Sequence, residues 1–346
     1  MTTPSAALTL EVPYFSQNDS ATPQGPRMCF SSSCAMAAAF LRPGCLAGPG
    51  QADDRYLALV QRHGDSTDAN AQVAALAGLG ISARLRQNGR IEQLIANLER
   101  RRWLPEDLGS RYVFVNTGDY SMVFVDGGQR VFESLVIVGT PKDPTPEIQS
   151  VMHGFQTNPY WTVPQSISGE EYLPMLRRDP NALAAGGFKI FANWTDDTEI
   201  DPATVDWGSI HPKAFPYRIR QEPGASNALG YIFFPFSNKY GIYMHDTANR
   251  WLFTEGSRNF SHGCIRLQNP LDFTEKVFMG KNGFDKEKVK AVIAAGQQAH
   301  YTFPEPVTLY VTYRTVGIGR DGAPVFRDDI YGRDRRVVRD MGKPRS

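Results

Sequence analysis

The spacing of hydrophobic residues changes near residue 100, and this change constrains the fold more than any other feature of the sequence. Between residues 29 and 98, apolar side chains recur at intervals of three and four in segments that end at Gly or Pro, which predicts a series of helices. From Arg111 the interval becomes two, and "RYVFVNTGDYSMVFVDGGQRVFESLVIVG" predicts three strands of an antiparallel meander joined by turns. The two parts of the chain therefore differ in structural class.

Strand patterns return at "GYIFFPF", "YGIYMHD" and "VTLYVTYRTVGIG", with helices predicted at "NPLDFTEKVFMG" and from Lys286 to Ala295. Residues 168–224 have no strong period, and a segment this long without regular structure indicates an insertion that lies over a sheet. We interpret its aromatic residues Tyr172, Trp194 and Trp207 as packing residues rather than as platforms for a substrate. The predicted fold class is α+β, mainly β, with one capping insertion and a small, mostly helical N-terminal segment.

The length of 346 residues favours two domains, which the change of pattern places at residues 1–100 and 101–346. A net charge of +1 gives no field strong enough to favour nucleic acid or an anionic membrane as the main partner. The longest apolar run, Cys34 to Leu41, is far shorter than the ~20 residues that span a bilayer, so no membrane segment is predicted. The first residues lack a secretory signal pattern, which indicates a cytosolic chain or one whose export information has been removed.

The cysteines of the chain are Cys29, Cys34, Cys45 and Cys264. The first three do not have the paired spacing of a zinc site, and we predict no metal site. A disulfide between Cys34 and Cys45 stays open, but four cysteines in a chain of this length do not form a disulfide scaffold.

The stretch "FSHGCIRL" surrounds Cys264 with groups that a cysteine nucleophile needs. A nucleophilic thiol requires a lowered pKa, a base that takes its proton, and donors for the oxyanion of the tetrahedral intermediate. Gly263 lets the backbone approach a substrate, and a helix beginning after the turn would direct the N–H groups of Gly263 and Cys264 at negative charge. In an extended segment Arg266 shares a face with Cys264, where it would favour the thiolate or hold a substrate carboxylate.

His245 is the predicted general base. It ends the strand pattern "YGIYMHD", nineteen residues before Cys264, and the intervening segment is long enough to fold back. His262 is nearer in sequence but has less freedom to face the thiol, because it lies two residues away in an extended chain. Acylation should then fall at acidic pH, unless the two residues already exist as thiolate and imidazolium. Taken singly, such residues are more often a small buried cysteine and a hydrogen-bonded histidine.

The segment "HDTANRWLFTEGSRNFSHGCIRL" resembles the signature of the L,D-transpeptidase catalytic domain of the YkuD type, in which a histidine opens the motif and S-H-G-C-[IV]-R closes it. Other segments between about residues 101 and 335 resemble, in unbroken order, the large periplasmic L,D-transpeptidases of Gram-negative bacteria. They include "RWLPEDLGSRYVFVN", "VIVGTPKDPTP", "YRIRQEPGASNALG" and "FRDDIYGRD". The resemblance implies a catalytic sandwich or barrel with a capping subdomain at about residues 168–224.

The same resemblance implies a mechanism. Cys264 would attack the carbonyl after the third residue of a peptidoglycan tetrapeptide stem and expel the terminal D-alanine. An amine of another stem would then resolve the acyl-thioester and form a 3→3 cross-link. His245 is the implied base, and the backbone amides of Gly263 and Cys264, supported by Arg266, are the implied oxyanion site.

Three further residues are predicted to bind the substrate. Ser261 and His262 match motif positions that shape the pocket, and Tyr243 is expected to line the donor site. The resemblance implies no metal or cofactor, peptidoglycan stem peptides as partners, covalent inhibition by carbapenem β-lactams, and a location in the periplasm or cell envelope. Two alternatives stay open, namely hydrolysis of the same stems by an L,D-carboxypeptidase or endopeptidase and an inactive protein that binds the cell wall.

Residues 10–98 resemble the first half of a papain-like cysteine peptidase of the bacteriocin-processing type. "VPYFSQND" and "RMCFSSSCAM" carry this resemblance, with Gln17 at the position of the oxyanion glutamine and Cys29 at that of the nucleophile. The later histidine that such a peptidase requires is missing, because none lies between His63 and His153. We therefore interpret the segment as a non-catalytic domain or as one partner of a fusion.

Overall fold

The computed structural model describes residues 15, 29–66, 68–81, 89–278, 284–319 and 322–341. The chain forms two compact units. We call them the helical unit, which comprises Met1–Ser110, Asn116–Asp119 and Thr312–Ser346, and the barrel unit, which comprises Arg111–Val115 and Tyr120–Val311. Gln17 and the side chain of Cys29 lie outside the described residues.

Four helices form most of the helical unit, as the apolar spacing before residue 98 predicts. They are α1 (Cys29–Leu41), α2 (Ala52–Val60), α3 (Ala69–Gly78) and α4 (Gly89–Arg102). Tyr56, Val60 and Ile95 are among the buried residues that pack these helices together. At the start of α3 the Asp68 carboxylate accepts a hydrogen bond from the Asn70 N–H, which satisfies a donor that has no partner within the helix.

The last described segment of the chain also belongs to the helical unit. Strands β13 (Val316–Ile318) and β14 (Pro324–Phe326) pair antiparallel, and helix α9 follows at Arg333–Met341. In α9 the buried Asp334 forms an ion pair with Arg100 at 2.5 Å and accepts a hydrogen bond from the Thr315 hydroxyl at 2.6 Å. A buried ion pair needs such additional hydrogen bonds to offset its desolvation. These contacts therefore join the end of the chain to helix α4.

Other expectations from the sequence concern the two domains, a disulfide and a membrane segment. The division into domains at residue 100 stays a prediction, and so does the non-catalytic nature of the first domain. Cys34 and Cys45 are not joined by a disulfide, and the Cys45 thiol donates to the Ala38 carbonyl at 3.4 Å. Within the described ranges, no helix combines the length and the apolar content needed to cross a bilayer.

Nine strands of the described chain form one sheet in the barrel unit, in the order β10–β3–β11–β9–β8–β4–β12–β1–β2. An additional pairing between β2 and β3 closes this sheet into a barrel. The strands are β1 (Tyr112–Asn116), β2 (Ser121–Asp126), β3 (Gln129–Gly139), β4 (Ile148–Thr157), β8 (Ile232–Phe234), β9 (Met244–His245), β10 (Asn259–Ser261), β11 (Ile265–Leu267) and β12 (His300–Thr312). The predicted meander is confirmed as β1 to β3, with Gly127 and Gly128 both at positive φ in the second turn.

Two helices accompany the barrel, α7 (Pro270–Phe278) and α8 (Lys286–Ala294), and both are predicted by the sequence. Phe273 of α7 contacts Phe124 and Phe234 of the sheet, with ring centroids 5.6 and 5.3 Å apart. All three rings are fully buried. Because large aromatic rings bury much apolar area, this cluster fixes α7 against the strands that flank the candidate site.

The predicted insertion is a folded subdomain, which we call the cap. Its strands β5 (Trp161–Thr162), β6 (Phe188–Phe191) and β7 (Arg218–Gln221) pair in the order β5–β7–β6, and helices α5 (Gln165–Ile167) and α6 (Leu173–Arg178) flank a π-helical turn at Ser168–Tyr172. Trp207 packs on Phe215, and Tyr172 packs on Phe188. The interpretation as packing residues is thus confirmed for Tyr172 and Trp207. It is wrong for Trp194, which is 41% exposed.

Candidate active site

Cys264 lies in the turn between β10 and β11, directly before β11 begins. Gly263 has a φ of +105°, a conformation that residues with a side chain rarely adopt. The Ser261 hydroxyl donates to the Cys264 carbonyl at 2.5 Å and accepts from the Gly263 N–H at 3.2 Å. From the other side, the Thr145 hydroxyl donates to the Gly263 carbonyl at 2.9 Å. Because hydrogen bonds hold this turn on both sides, the thiol has a defined position.

The predicted helix at "NPLDFTEKVFMG" is present, but it does not adjoin the turn that carries Cys264. Strand β11 lies between them, and α7 starts only at Pro270. The expectation that a helix N-terminus directs the amides of Gly263 and Cys264 at the site is therefore wrong. The physical reason is the alternation of buried Ile265 and Leu267 with partly exposed Arg266, which is the period of a strand.

The pairing of β9 with β11 places the predicted catalytic residues on one face of the sheet. The two strands are parallel, and Arg266 lies opposite His245. Since side chains alternate between the faces of a strand, Cys264 and Arg266 share a face with Tyr243 and His245. The expected return of the chain is observed, because Cys264 directly precedes β11, which pairs with the strand that carries His245.

The thiol of Cys264 is protonated at neutral pH in this environment. Burial raises its pKa to about 11, while Tyr243 and the positive charge of Arg266 act in the opposite direction. Since the thiolate is the nucleophilic form, a thiol with this pKa reacts efficiently only after a base removes its proton. The site therefore needs a base although a cation is close by.

His245 is 4% exposed, and a backbone carbonyl orients its ring. Nδ1 lies 2.5 Å from the Asp246 carbonyl oxygen. Because a carbonyl only accepts, Nδ1 carries a proton and Nε2 is the basic nitrogen of the neutral ring. Burial and then the charge of Arg266 lower the pKa of His245 to about 3, against the opposite effect of the Asp246 and Leu229 carbonyls. The resting pair is therefore thiol and neutral imidazole rather than thiolate and imidazolium.

Tyr243 is the residue that contacts both predicted catalytic groups. Its ring centroid lies 5.9 Å from that of His245, and its phenol lies beside the Cys264 thiol and the indole of Trp161. Burial raises the pKa of Tyr243, so its phenol stays a hydrogen-bond donor at neutral pH. Among the described residues no hydrogen bond joins Cys264 to His245 directly. Proton transfer between them requires a closer approach, which is common when a substrate enters a site.

Arg266 brings a positive charge to the site, and no carboxylate among the described residues forms an ion pair with it. Its Nε is buried and makes no hydrogen bond. Burial lowers its pKa, but a guanidinium remains protonated at any physiological pH. A desolvated cation without an anionic partner is unfavourable, so this position suits an anionic group of a substrate or intermediate.

The cap contacts the turn that carries Cys264. His262 lies in this turn, and its Nε2 is 2.5 Å from the carboxylate of Glu171 in the π-helical turn. An ion pair joins Lys142 to the neighbouring Glu170 at 2.9 Å. His262 therefore faces the cap and not the thiol, which agrees with the limited freedom that its position in the sequence implied.

Sequence reasoning missed three residues that position this site, namely Trp161, Glu171 and Thr145. Trp161 lies beside the phenol of Tyr243, Glu171 contacts His262, and the Thr145 hydroxyl donates to the Gly263 carbonyl. Each contact joins residues more than 80 positions apart, so neither periodicity nor a short motif contains a signal for it.

We expect the Gly263→Ala substitution to impair both stability and acylation. A Cβ at this position would lie 3.4 Å from Ile242 Cγ2, which is an ordinary contact, so the penalty comes from the φ of +105°. Such strain costs about 1–3 kcal/mol and would displace the adjacent thiol. The free energy of unfolding in urea and the rate of acylation by a carbapenem test this.

Gly256→Ala is the matched control, because Gly256 has no positive φ and an added Cβ there would have no neighbouring atom within 4 Å. Equal stability and equal acylation rates for the two variants would contradict a special role of the Gly263 conformation.

The family model described as the L,D-transpeptidase catalytic domain (YkuD) matches residues 110–293 of this chain. A curated protein of Haemophilus influenzae, named "Putative L,D-transpeptidase", is 35% identical over 248 residues, which are 71% of this chain and 49% of that protein. The chain thus spans about half the length of the curated relative that it matches.

Similar solved structures include L,D-transpeptidase 3 of Mycobacterium tuberculosis in complex with a faropenem-derived adduct. It is 13% identical, with a TM-score of 0.27 and coverage of 59% of this chain and 60% of that chain. An L,D-transpeptidase of Stackebrandtia nassauensis is 12% identical, with a TM-score of 0.23 and coverage of 82% and 89%. Because these TM-scores are low, family membership rests on the sequence matches.

Proposed function

Because the chain belongs to the family of L,D-transpeptidase catalytic domains, we propose that it transfers the acyl group of a peptidoglycan tetrapeptide stem through a thioester on Cys264 and forms 3→3 cross-links. One observation carries the proposal. The Cys264 thiol shares a sheet face with a neutral, buried His245 and with Arg266, a cation that forms no ion pair with a carboxylate of the described chain. A thiol, a base and an anion site on one face are what acyl transfer by a cysteine requires.

In the first half-reaction, His245 Nε2 takes the proton of Cys264 as Sγ attacks the carbonyl carbon of the third stem residue. A C–S bond forms, and the carbonyl oxygen becomes an oxyanion. When this intermediate collapses, the peptide C–N bond breaks and the imidazolium returns its proton to the amine of the departing D-alanine. The products are free D-alanine and an acyl-thioester on Cys264.

In the second half-reaction, the side-chain amine of another stem attacks the thioester carbonyl. His245 removes the proton of that amine, the C–S bond breaks, and the proton returns to the sulfur of Cys264. The atoms balance without a metal, a cofactor or an external energy source, because the peptide bond of the donor is exchanged for that of the cross-link.

Three groups are available to stabilise the oxyanion. The N–H groups of Gly263 and Cys264 are the proposed donors, and Arg266 contributes positive charge. The Gly263 N–H donates to the Ser261 hydroxyl at 3.2 Å, so it must exchange this partner for the substrate oxygen. Within this proposal Tyr243 lines the donor site, and Ser261 and His262 shape the pocket through the turn and the cap.

Hydrolysis is the alternative outcome of the same chemistry, since water instead of an amine can resolve the thioester. Incubation of the protein with disaccharide-tetrapeptides, followed by mass spectrometry of the products, separates the two reactions. Cross-linked dimers support transfer, whereas tripeptides alone would identify a carboxypeptidase and overturn the proposed cross-linking. Absence of both products, together with absence of a carbapenem adduct, would favour the remaining alternative, an inactive protein that binds the cell wall.

The proposed location is the periplasm or cell envelope, where peptidoglycan is found. We also propose that carbapenem β-lactams acylate Cys264, since they carry a strained acyl group that a thiolate opens. This proposal rests on the chemistry of the thiol.

We expect the Arg266→Gln substitution to change the pH dependence of acylation. Removal of this charge lets the pKa of His245 rise from about 3, because Arg266 is the second cause of its depression after burial. The acidic fall in rate should therefore move to higher pH in the variant, and at pH 7 the rate should drop about 10- to 100-fold because the thiol loses a stabilising cation. Stopped-flow measurement of carbapenem acylation between pH 4 and 9 provides the profile.

Arg130→Gln serves as the control, because Arg130 is exposed and paired with Glu133 at the β2–β3 hairpin. If Arg266→Gln and the wild type had superimposable pH profiles, the electrostatic coupling between Arg266 and His245 would be disproved.

A further inference from the structure

A cavity of about 860 Å³ lies in the barrel unit, outside the group of Cys264, Tyr243, His245 and Arg266. Its lining includes Tyr160, Tyr231, Asp246, Arg250 and Asn269. The volume exceeds what the side chain of one amino acid fills and lies in the range of sites for small ligands. None of the chemistry proposed above uses this cavity.

The cavity lies at one end of the parallel strands β9 and β11. Asp246 directly follows β9 and Asn269 lies just beyond β11, so the cavity is at the C-terminal ends of both strands. Cys264 is at the opposite end of β11. In the register of the two strands, Asp246 lies opposite Leu267, which is three residues after Cys264. Three residues of extended strand correspond to a distance of about 10 Å along β11.

The consecutive residues Tyr160 and Trp161 lie at the cavity and near the Cys264 thiol, respectively. Trp161 lies beside the phenol of Tyr243 near the thiol, and its neighbour Tyr160 lines the cavity. A ligand that lies between the thiol and the cavity would therefore contact the same segment of the chain along its length.

The aromatic rings of the cavity are accessible. Tyr160 is 42% exposed and Tyr231 is 36% exposed. The guanidinium of Arg220 covers one face of the Tyr160 ring at 4.4 Å from its centroid, which leaves the other face and the edges as the accessible part. Exposed tyrosine rings of this kind combine an apolar surface with a polar tip.

The charged residues of the lining are already neutralised by partners. The pairs are Glu222 with Arg220 at 3.0 Å, Asp246 with Arg250 at 2.7 Å, Asp272 with Lys286 at 2.7 Å, and Lys290 with Glu287 at 2.7 Å. An ionic ligand would have to compete with these pairs. A neutral ligand would instead use the remaining lone pairs and N–H groups of the same side chains.

Aromatic faces next to charged side chains that are already paired with one another are suited to bind a neutral carbohydrate. A pyranose ring has C–H groups on its faces and hydroxyls on its rim, so it requires an apolar surface and planar hydrogen-bonding groups together. We propose that this cavity binds the neutral glycan part of the donor, which makes it a saccharide subsite of the catalytic domain.

The distance agrees with this assignment. In the proposed reaction, three stem residues separate the sugar from the carbonyl that Cys264 attacks. Three extended residues span about 10–11 Å, which matches the separation of Cys264 from the cavity along β11. The subsite rests on the proposed function, since it takes the same substrate.

The test compares two substrates that differ only in the sugar. The ratio of kcat/KM for a disaccharide-tetrapeptide to that for the sugar-free tetrapeptide is measured for the wild type, Tyr160→Ala and Tyr231→Ala. We expect this ratio to fall about tenfold in each variant, because the aromatic contact serves only the sugar. A ratio equal to that of the wild type in both variants would overturn the subsite.

Trp194→Ala is the matched control, since Trp194 is an aromatic residue of the cap with 41% exposure that does not line the cavity. Its ratio should equal that of the wild type. Circular dichroism and thermal unfolding identify a variant that fails to fold. In that case Tyr231→Phe, which keeps the ring, should restore the ratio, and failure of this rescue counts against the subsite.

Direct binding gives a second readout that needs no turnover. N-acetylchitotetraose, a neutral amino-sugar oligomer, should shift amide resonances of Tyr160, Tyr231 and Arg250 in the intact chain. Its deacetylated, cationic counterpart should bind at least about fivefold more weakly, and tighter binding of the cation would overturn the assignment of a neutral ligand. Shifts centred on Cys264 instead would also overturn it.

Failure of the subsite and failure of the proposed function are distinguishable. A carbapenem adduct on Cys264 depends on the thiol and carries no sugar, so it tests the acyl-transfer chemistry alone. An adduct without any glycan effect would remove the subsite and leave the proposed function intact.

Discussion

Substitution of Cys264 by alanine is expected to abolish formation of the carbapenem adduct and to lower transpeptidation by about 10⁴-fold or more, since loss of a nucleophile removes the covalent route altogether. Cys264 is only partly buried, and Ser261 bonds to its backbone carbonyl rather than to its side chain. The fold should therefore tolerate the change. Intact-mass spectrometry after carbapenem treatment, together with product analysis on disaccharide-tetrapeptides, measures both effects.

Other cysteines of the chain supply the controls for this experiment. Cys45→Ala removes a partly buried thiol of the helical unit, and Cys29→Ala tests the second nucleophile that the sequence suggests. Both variants should form the adduct to the same extent as the wild type. An adduct that persists in Cys264→Ala and disappears in Cys29→Ala would reverse the assignment of the nucleophile.

Replacement of His245 by glutamine is expected to lower the rate of acylation at pH 7 by about 10²–10⁴-fold, which is the usual contribution of a general base. The pKa of Cys264 is raised to about 11 by burial, so the thiol depends on this base. As the pH approaches that value, thiolate forms without a base, and the rate of the variant should approach that of the wild type. A stopped-flow pH profile from 6 to 10 measures the difference.

The His245→Gln substitution should also change how the free energy of unfolding depends on pH, because the buried ring of His245 is neutral. In the folded protein the pKa of His245 is lowered from 6.5 to about 3. Between these values the unfolded chain binds a proton that the folded chain does not, so the free energy of unfolding decreases as the pH falls. One such group contributes a slope of ~1.4 kcal/mol per pH unit, which His245→Gln should remove.

A second His→Gln substitution serves as the control for the loss of acylation in His245→Gln. His211→Gln changes an exposed histidine of the cap that accepts only a local backbone hydrogen bond. It should leave the acylation rate unchanged. A His245→Gln variant that acylates at the rate of the wild type would rule out His245 as the base.

Much of the fold follows from local sequence patterns. The meander from Arg111, the helices α7 and α8, and the helices before residue 98 are all present in the structure, because apolar periodicity determines which face of an element can be buried. The helix predicted after Cys264 is present as α7, but strand β11 separates it from the turn that carries the thiol. A pattern of three residues is too short to predict β11 from the sequence alone.

The candidate site was predictable only in part. "SHGC" and His245 form a recognisable pattern because a nucleophile needs a turn, a base and a cation at restricted spacings. Trp161 and Thr145 have no such pattern. Their roles depend on β5 reaching Tyr243 and on the Thr145 hydroxyl reaching the Gly263 carbonyl across the fold.

The sequence by itself determined the family and the α+β class, and it predicted Cys264 as the nucleophile, because these depend on residue types at short spacings. Only the tertiary structure decided the protonation states, since a pKa depends on burial and on charges that arrive from other strands. The register of β9 with β11 places Arg266 opposite His245, and the resulting desolvation and repulsion keep the imidazole neutral beside a protonated thiol. Likewise, only the fold joins residues 312–341 to the N-terminal helices, because the buried pair of Arg100 and Asp334 spans most of the chain.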